Sequence, residues 1–208
     1  MRRPVQLRHE TPLTSEAYLA ERAWEKASLS RCPRHPAGGC GFARHGTYPR
    51  KTVTGMRVAR YYCPTAHETF SLLPDCLASR FPSDLDDLER VTVQVATHRS
   101  VEAAADVLRP EITLPSAVRW IRRRLTLVRT SVVLVAGLLG LDVGTATLAA
   151  FRAAWETDRV LVGARSRVAA HLTILPPPLG FGPRGRRRPA RSTARQHAMG
   201  ADRAGPAG

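Results

Sequence analysis

Lysine is almost missing from this chain. Of its 32 basic residues only Lys26 and Lys51 are lysines, so nearly all the positive charge is arginine. A long apolar run is also missing. The longest, Val132 to Leu141, is about half of the roughly 20 residues a bilayer-spanning helix requires. The opening stretch MRRPVQLRHETPLTSEAY holds no apolar core of the kind a secretory signal carries. These absences predict a cytoplasmic protein with no membrane partner, in a compartment that keeps thiols reduced. Catalytic patterns are missing too. There is no Gly-rich phosphate loop, and His67-Glu68 begins an HExxH in which Ser71 replaces the second histidine. The H-x-E…P-C-x-x-C pattern of zinc deaminases does not occur. The acids after residue 90 (Glu102, Asp106, Glu111, Asp142, Glu156, Asp158 and Asp202) fall mostly on expected helices or in loops. The expectation is that the chain is not an enzyme and has no small-molecule substrate.

What is present is charge of one sign. The formal net charge is +15 and the sequence pI about 11.2. That balance favours a polyanionic partner, nucleic acid before acidic membrane. An arginine bias accompanied by much Ala, Gly and Pro also follows from a GC-rich coding sequence, so the placement of the charge says more than its total. A chain of 208 residues has room for one or two small domains and a modest core.

All four cysteines lie between Cys32 and Cys76. Cys32-Pro33-Arg34-His35 is one knuckle, with Cys40 close behind it, and Cys63-Pro64-Thr65-Ala66-His67 is a second. A tetrahedral Zn²⁺ needs four soft or borderline ligands, and pairs on tight turns supply them from short segments. The alternative is ordinary buried thiols, which the clustering disfavours. Cys32, Cys63 and His67 are the expected ligands. The fourth is His35 or Cys40: the two-residue separation favours His35, and thiolate affinity favours Cys40. Cys76 follows an apolar run and reads as a core thiol, while His45 reads as a cap or a solvated residue of the first strand. Between the knuckles, Thr47–Val53 and Met56–Tyr62 read as a β-hairpin that turns at Thr54-Gly55. Two strands alone are marginal in water, so a metal clip has a physical purpose here.

The string HGTYPR…GMRVARYYCP…TFSLLPDCLA resembles the zinc-ribbon that opens many bacterial transposase and insertion-element proteins. In that family a Cys-Pro-x-Cys knuckle, an Arg-rich hairpin, a second Cys-Pro knuckle and a TFSLLPDFL-like segment precede a helix-turn-helix. Arg60, Tyr61, Tyr62, Cys63, Pro64, Thr69, Phe70, Leu72, Leu73, Pro74 and Asp75 carry the match, and the resemblance extends over about residues 32–129. The sequence departs from the pattern at His35, where the family has its second cysteine, and at His67, one position beyond its last. The resemblance implies Zn²⁺ as cofactor and double-stranded DNA as partner. It also implies a nuclease with three carboxylates around two Mg²⁺ ions, for which this chain offers no strand-rich region after the ribbon.

The expected fold class is α+β: a zinc-ribbon hairpin, then an all-α helix-turn-helix-like bundle and a disordered basic tail. Residues 1–30 form a leader whose Thr14-Ser15-Glu16 opens a short helix through Ala27, with Tyr18, Ala23 and Trp24 available for packing. The ribbon is assigned to 31–81. In 82–130, Pro82-Ser83-Asp84 starts one helix, Ser100 caps a second over Val101–Leu108, and a third begins at Ser116 after Pro115. Along that third helix Val118, Ile121, Leu125 and Val128 keep an apolar seam, with Trp120 and Arg124 at its border. Ser116, Arg119, Arg122, Arg123 and Arg129 are its candidate DNA-binding residues, because arginine on a groove-entering helix reads guanine or grips phosphate. Arg50, Arg57 and Arg60 on the hairpin are expected near the phosphate backbone. The greasy 131–175 segment either extends the helix or packs against Thr145–Glu156 and Arg159–Leu172, and a homodimer through 132–172 explains it equally well. Residues 176–208 hold seven arginines (184, 186, 187, 188, 191, 195 and 203) against Asp202, a composition that cannot bury enough apolar area to fold. Two other readings share the zinc: a protein–protein interaction module built on 132–172, and an RNA-binding ribbon that stacks bases on Tyr61 or Tyr62.

Overall fold

The computed structural model describes residues 5–182. Its sheet has four strands: β1 (Val5–His9), β2 (Ala43–Pro49), β3 (Arg57–Cys63) and β4 (Glu68–Pro74), in the order β1-β4-β3-β2. β2, β3 and β4 are antiparallel neighbours, and β1 joins the far edge parallel to β4, with Val5 opposite Phe70. The architecture is therefore mixed α+β, with a larger sheet than a lone hairpin. β2 begins and ends earlier than the alternation of Thr47–Val53 suggests. A register shift between Arg44 and Thr47 absorbs Gly46, and residues 50–56 form an open loop in which Gly55 takes φ +83°.

Both faces of the sheet are covered. On one face Ala59, Tyr61, Cys63, Phe70 and Leu72 pack with Cys32, Cys40 and Ala27. The period-two alternation sends their neighbours Val58 and Leu73 to the other face, into the main core with Tyr18, Trp24 and Leu77. α1 (Ser15–Ala20) is shorter than the expected helix. Thr14 caps it through the Ala17 N–H at 3.2 Å, and the chain then turns through 21–26. Tyr18, Ala23 and Trp24 are all buried, so this leader is part of the core.

α2 and α3 start where their capping residues say they should, while α4 begins at Leu114, two residues before the expected Ser116. α2 (Leu85–Ala96) is capped by Asp84, which accepts from the Asp87 N–H at 2.6 Å, and Asp86 and Asp87 sit in the dipole-favoured first turn. α3 (Val101–Leu108) is capped by Ser100 through the Ala103 N–H at 3.1 Å. α4 (Leu114–Leu138) carries Pro115 in its first turn, where the missing N–H costs nothing. Its 25 residues span about 37 Å. They unite two cores. Ala117, Val118 and Ile121 pack with Val91 of α2 and Ala104 and Ala105 of α3, whereas Val128, Val132, Val135 and Ala136 enter the main core. α5 (Leu148–Trp155) and α6 (Val160–Arg167) close that core with Leu148, Phe151 and Leu161, as the apolar pattern predicts.

The boundary of the C-terminal tail also differs from expectation. Residues 176–182, assigned to the disordered tail, are packed: Leu179 and Phe181 are buried in the main core. Arg165, completely buried, donates to the carbonyls of Pro178 and Leu179 and to those of Asp75 and Leu77, stapling this segment to the end of β4. Two apolar anchors and a guanidinium that donates to five carbonyls, that of Pro74 included, outweigh the Pro/Gly composition. The seven tail arginines lie outside the described residues. No helix among the described residues is long and apolar enough to cross a membrane.

Candidate functional site

The knuckles meet on the sheet face that carries Cys63. In the first, the His35 N–H donates to the Cys32 carbonyl at 3.2 Å and closes a tight turn; in the second, the Ala66 N–H donates to Cys63 Sγ at 3.4 Å. Gly41 lets the two approach, because a Cβ there would lie 3.1 Å from Pro64 Cγ and its φ is +64°. The Thr65 hydroxyl then donates to the Cys40 carbonyl at 3.3 Å and ties one knuckle to the other.

This brings four donor atoms, from Cys32, His35, Cys40 and Cys63, within 4.8 Å of one another. His35 Nδ1 lies 3.7 Å from Cys32 Sγ and 3.4 Å from Cys63 Sγ. His35 and Cys40 are therefore partners and not alternatives. The expected ligand His67 belongs elsewhere. It is exposed at the β3–β4 turn with φ +49°, and its Nδ1 is 3.4 Å from the Tyr62 hydroxyl. The turn geometry explains the correction: after Cys63 the chain reverses into β4, which carries position 67 away from the thiols. Cys76 is a buried core thiol, as expected, and His45 lies exposed on β2 beside the Tyr62 ring.

The electrostatics of the cluster suit a cation. Burial disfavours charge on Cys32, but the His35 imidazole and the backbone N–H groups of Arg34 and His35 outweigh it and lower this thiol to about 6. Burial, together with the neighbouring sulfurs of Cys32 and Cys63, raises the Cys40 thiol. Three thiolates so close repel one another unless a positive charge stands between them. Three sulfurs and one imidazole nitrogen form a donor set that can hold a metal ion such as zinc.

The second feature is a cleft of about 1230 Å³ along the N-terminal half of α4. Arg109, Arg119, Arg122, Arg123 and Arg124 line it, and no carboxylate does among the described residues. Arg119, Arg122 and Arg123 are exposed, with Arg122 3.4 Å from Glu102, and Arg129 continues the same face. Ser116 lies at its head, where its hydroxyl accepts from Thr113 at 3.0 Å.

The hairpin arginines do not join this face as a group. Arg50 donates to the carbonyls of Ala78 and Phe81 at 3.0 and 2.7 Å and serves the fold. Arg57 donates to the Thr47 hydroxyl at 2.6 Å, and Arg60 lies over the Tyr48 ring at 5.3 Å. Sequence reasoning missed Arg109 and Thr52 as lining residues and left Trp120 and Arg124 at the border of the helix. No local signal marks the first two, since the cleft forms only when residues 50–56 and 109–113 fold against α4. Comparison with protein-family models, with curated proteins and with solved structures finds no match.

Proposed function

We propose that this chain is a zinc-dependent DNA-binding protein, related to the DNA-recognition part of bacterial transposases and without nuclease chemistry of its own. The observation that carries the reading is the cleft: five arginines line one groove with no carboxylate in its lining among the described residues. Glu111, Glu102 and Asp87 pair with Arg109, Arg122 and Arg124 from its margins, whereas Arg119 and Arg123 have no such pair among the described residues. A rod of phosphates is the partner that such a surface fits, because each arginine offers a planar fork of donors to phosphate oxygens. In this reading α2, α3 and α4 act as a helix-turn-helix, supported by the cluster they share. The connection of residues 109–113 separates α3 from α4. Arg119, Arg122, Arg123 and Arg129 present the groove-facing side.

Cys32, His35, Cys40 and Cys63 would hold the Zn²⁺. Its role is structural: four protein ligands leave no open position, and the metal would lock both knuckles to the end of β3.

The test is the affinity of the zinc-loaded protein for a random-sequence duplex across a salt series. Arg122→Ala/Arg123→Ala should reduce the slope of log K against log salt by about 2 and weaken binding at every sequence. An unchanged slope would rule out α4 as the binding face.

A second reading, assembly of a homodimer or a protein complex through 132–172, is favoured by one observation. Val133, Leu134, Leu138, Leu139, Leu141 and Val143 are exposed at and beyond the C-terminal end of α4. It predicts association that is insensitive to salt and to Arg122 or Arg123 replacement.

A further inference from the structure

The floor of the cleft differs chemically from its walls. Arg124 is only 6% exposed, yet it lines the cleft. Its guanidinium stacks on the Trp120 ring, Cζ 3.6 Å from the centroid, and stands 5.2 Å from the Phe81 centroid. Arg109 approaches the same Trp120 ring at 4.8 Å. Aromatic faces hold a guanidinium in place while leaving its N–H edge unused. Arg124 Nε has no hydrogen-bond partner among the described residues. The Asp87 carboxylate is 3.7 Å away, beyond hydrogen-bond reach, and it already accepts from Ser83 and Arg90. Burial lowers the Arg124 pKa to about 10, Asp87 opposing the shift and the neighbouring Arg109 and Arg123 adding to it. The group therefore keeps its proton at neutral pH. Asp87 balances part of the Arg124 charge at ion-pair distance, and Glu111 pairs with Arg109, but the buried Arg124 Nε–H is left without an acceptor among the described residues, which is costly unless something completes it.

We propose that the cleft floor is a seat for a single phosphate group, gripped by Arg124 and Arg109 beside the Trp120 ring. The ligand class is a phosphate ester. A phosphodiester of a DNA strand and a free phosphate share this chemistry, and the strand source rests on the DNA-binding reading above. The walls and the floor then divide the work: Arg119, Arg122 and Arg123 hold the strand along its length, and the floor fixes its register by accepting one phosphate. Thr52, from the β2–β3 loop, lines the same floor, which on its far side adjoins Asp84 and Asp87.

The experiment uses the zinc-loaded full chain, random-sequence duplex, and inorganic phosphate as the free probe at constant ionic strength set with chloride. Arg109→Gln and Arg124→Lys are measured for duplex affinity and melting temperature. Arg109 is part-exposed and tests the seat even if Arg124→Lys does not fold. The seat predicts at least tenfold weaker duplex binding in Arg109→Gln at an unchanged melting temperature, with Lys failing to replace Arg124 because it lacks the fork. It also predicts that inorganic phosphate raises the wild-type melting temperature and leaves that of Arg109→Gln where it was. Competition between phosphate and duplex assigns the seat to the strand; stabilisation by phosphate without competition assigns it to a free phosphate ester. Duplex binding that survives in Arg109→Gln, with no effect of inorganic phosphate, overturns the seat but leaves the DNA reading standing. Absence of any salt-dependent duplex binding by the wild type overturns the DNA reading, and the phosphate melting shift then judges the seat alone.

Discussion

Glu89 carries a carboxyl group into the core, 3% exposed, and uses it to cap another helix. It accepts the N–H of Val160 at 3.0 Å and that of Leu161, the first residues of α6, which has no side-chain cap of its own. Burial pushes its pKa up to about 7 against those backbone donors. An unfolded glutamate titrates near 4.3, so between that value and about 7 the folded chain binds more protons than the unfolded one. The stabilisation from this group is complete below the lower value and is lost as pH rises through the upper. Melting temperatures from pH 4 to pH 8 should therefore decline with pH more steeply in the wild type than in Glu89→Gln; parallel curves would show that Glu89 does not titrate in this window. At the cysteine–histidine cluster, Cys40→Ala should lower zinc affinity by on the order of 100-fold or more, whereas His67→Ala should leave it within about threefold. Chelator competition measures both. The sequence made Cys32, His35 and Cys63 legible through their Cys-Pro turns. It could not show that the turn after Cys63 swings His67 outward, because the positive φ at that position is a property of how β4 pairs back on β3.

At the scale of elements, helix starts were readable and edge strands were not, for one reason. Asp84, Ser100 and Pro115 act on residues one turn away, so their signal is contained in the sequence around them. β1 exists only because Val5–His9 meets Phe70–Pro74 across the chain, fixed by the Arg8–Asp75 ion pair at 2.8 Å. The segment 176–182 makes the same point, since Leu179 and Phe181 find partners far away in sequence. Gly180 is obligatory there, because a Cβ would fall 2.1 Å from the Leu175 carbonyl oxygen. A chain ending at Leu175 should be less stable than one ending at Gly182 by roughly 3–5 kcal/mol, the burial of two large apolar side chains. Urea unfolding of the two chains checks this, and equal midpoints would mean that the segment merely rests on the surface.

Across the whole molecule, the Cys32, Cys40 and Cys63 cluster packs against one sheet face and the main core against the other, with α4 joining that core to the helices of the cleft. Removing a metal held by this cluster should therefore act locally first. Chelation is expected to release amide-exchange protection in β3 and β4 around Tyr61–Cys63 before it does so in α4. Simultaneous loss would instead make the metal the keystone of the entire fold.

In the reading proposed above, DNA binding belongs to residues 5–182 and does not depend on the arginine-rich residues 183–208. The most direct measurement is duplex binding by a zinc-loaded chain ending at Gly182, which keeps Leu179 and Phe181 and lacks the seven arginines that follow. The expected result is salt-dependent binding by this shortened chain and loss of most of it in Arg122→Ala/Arg123→Ala. Binding that disappears with residues 183–208 alone would contradict it and turn attention to the exposed apolar end of α4.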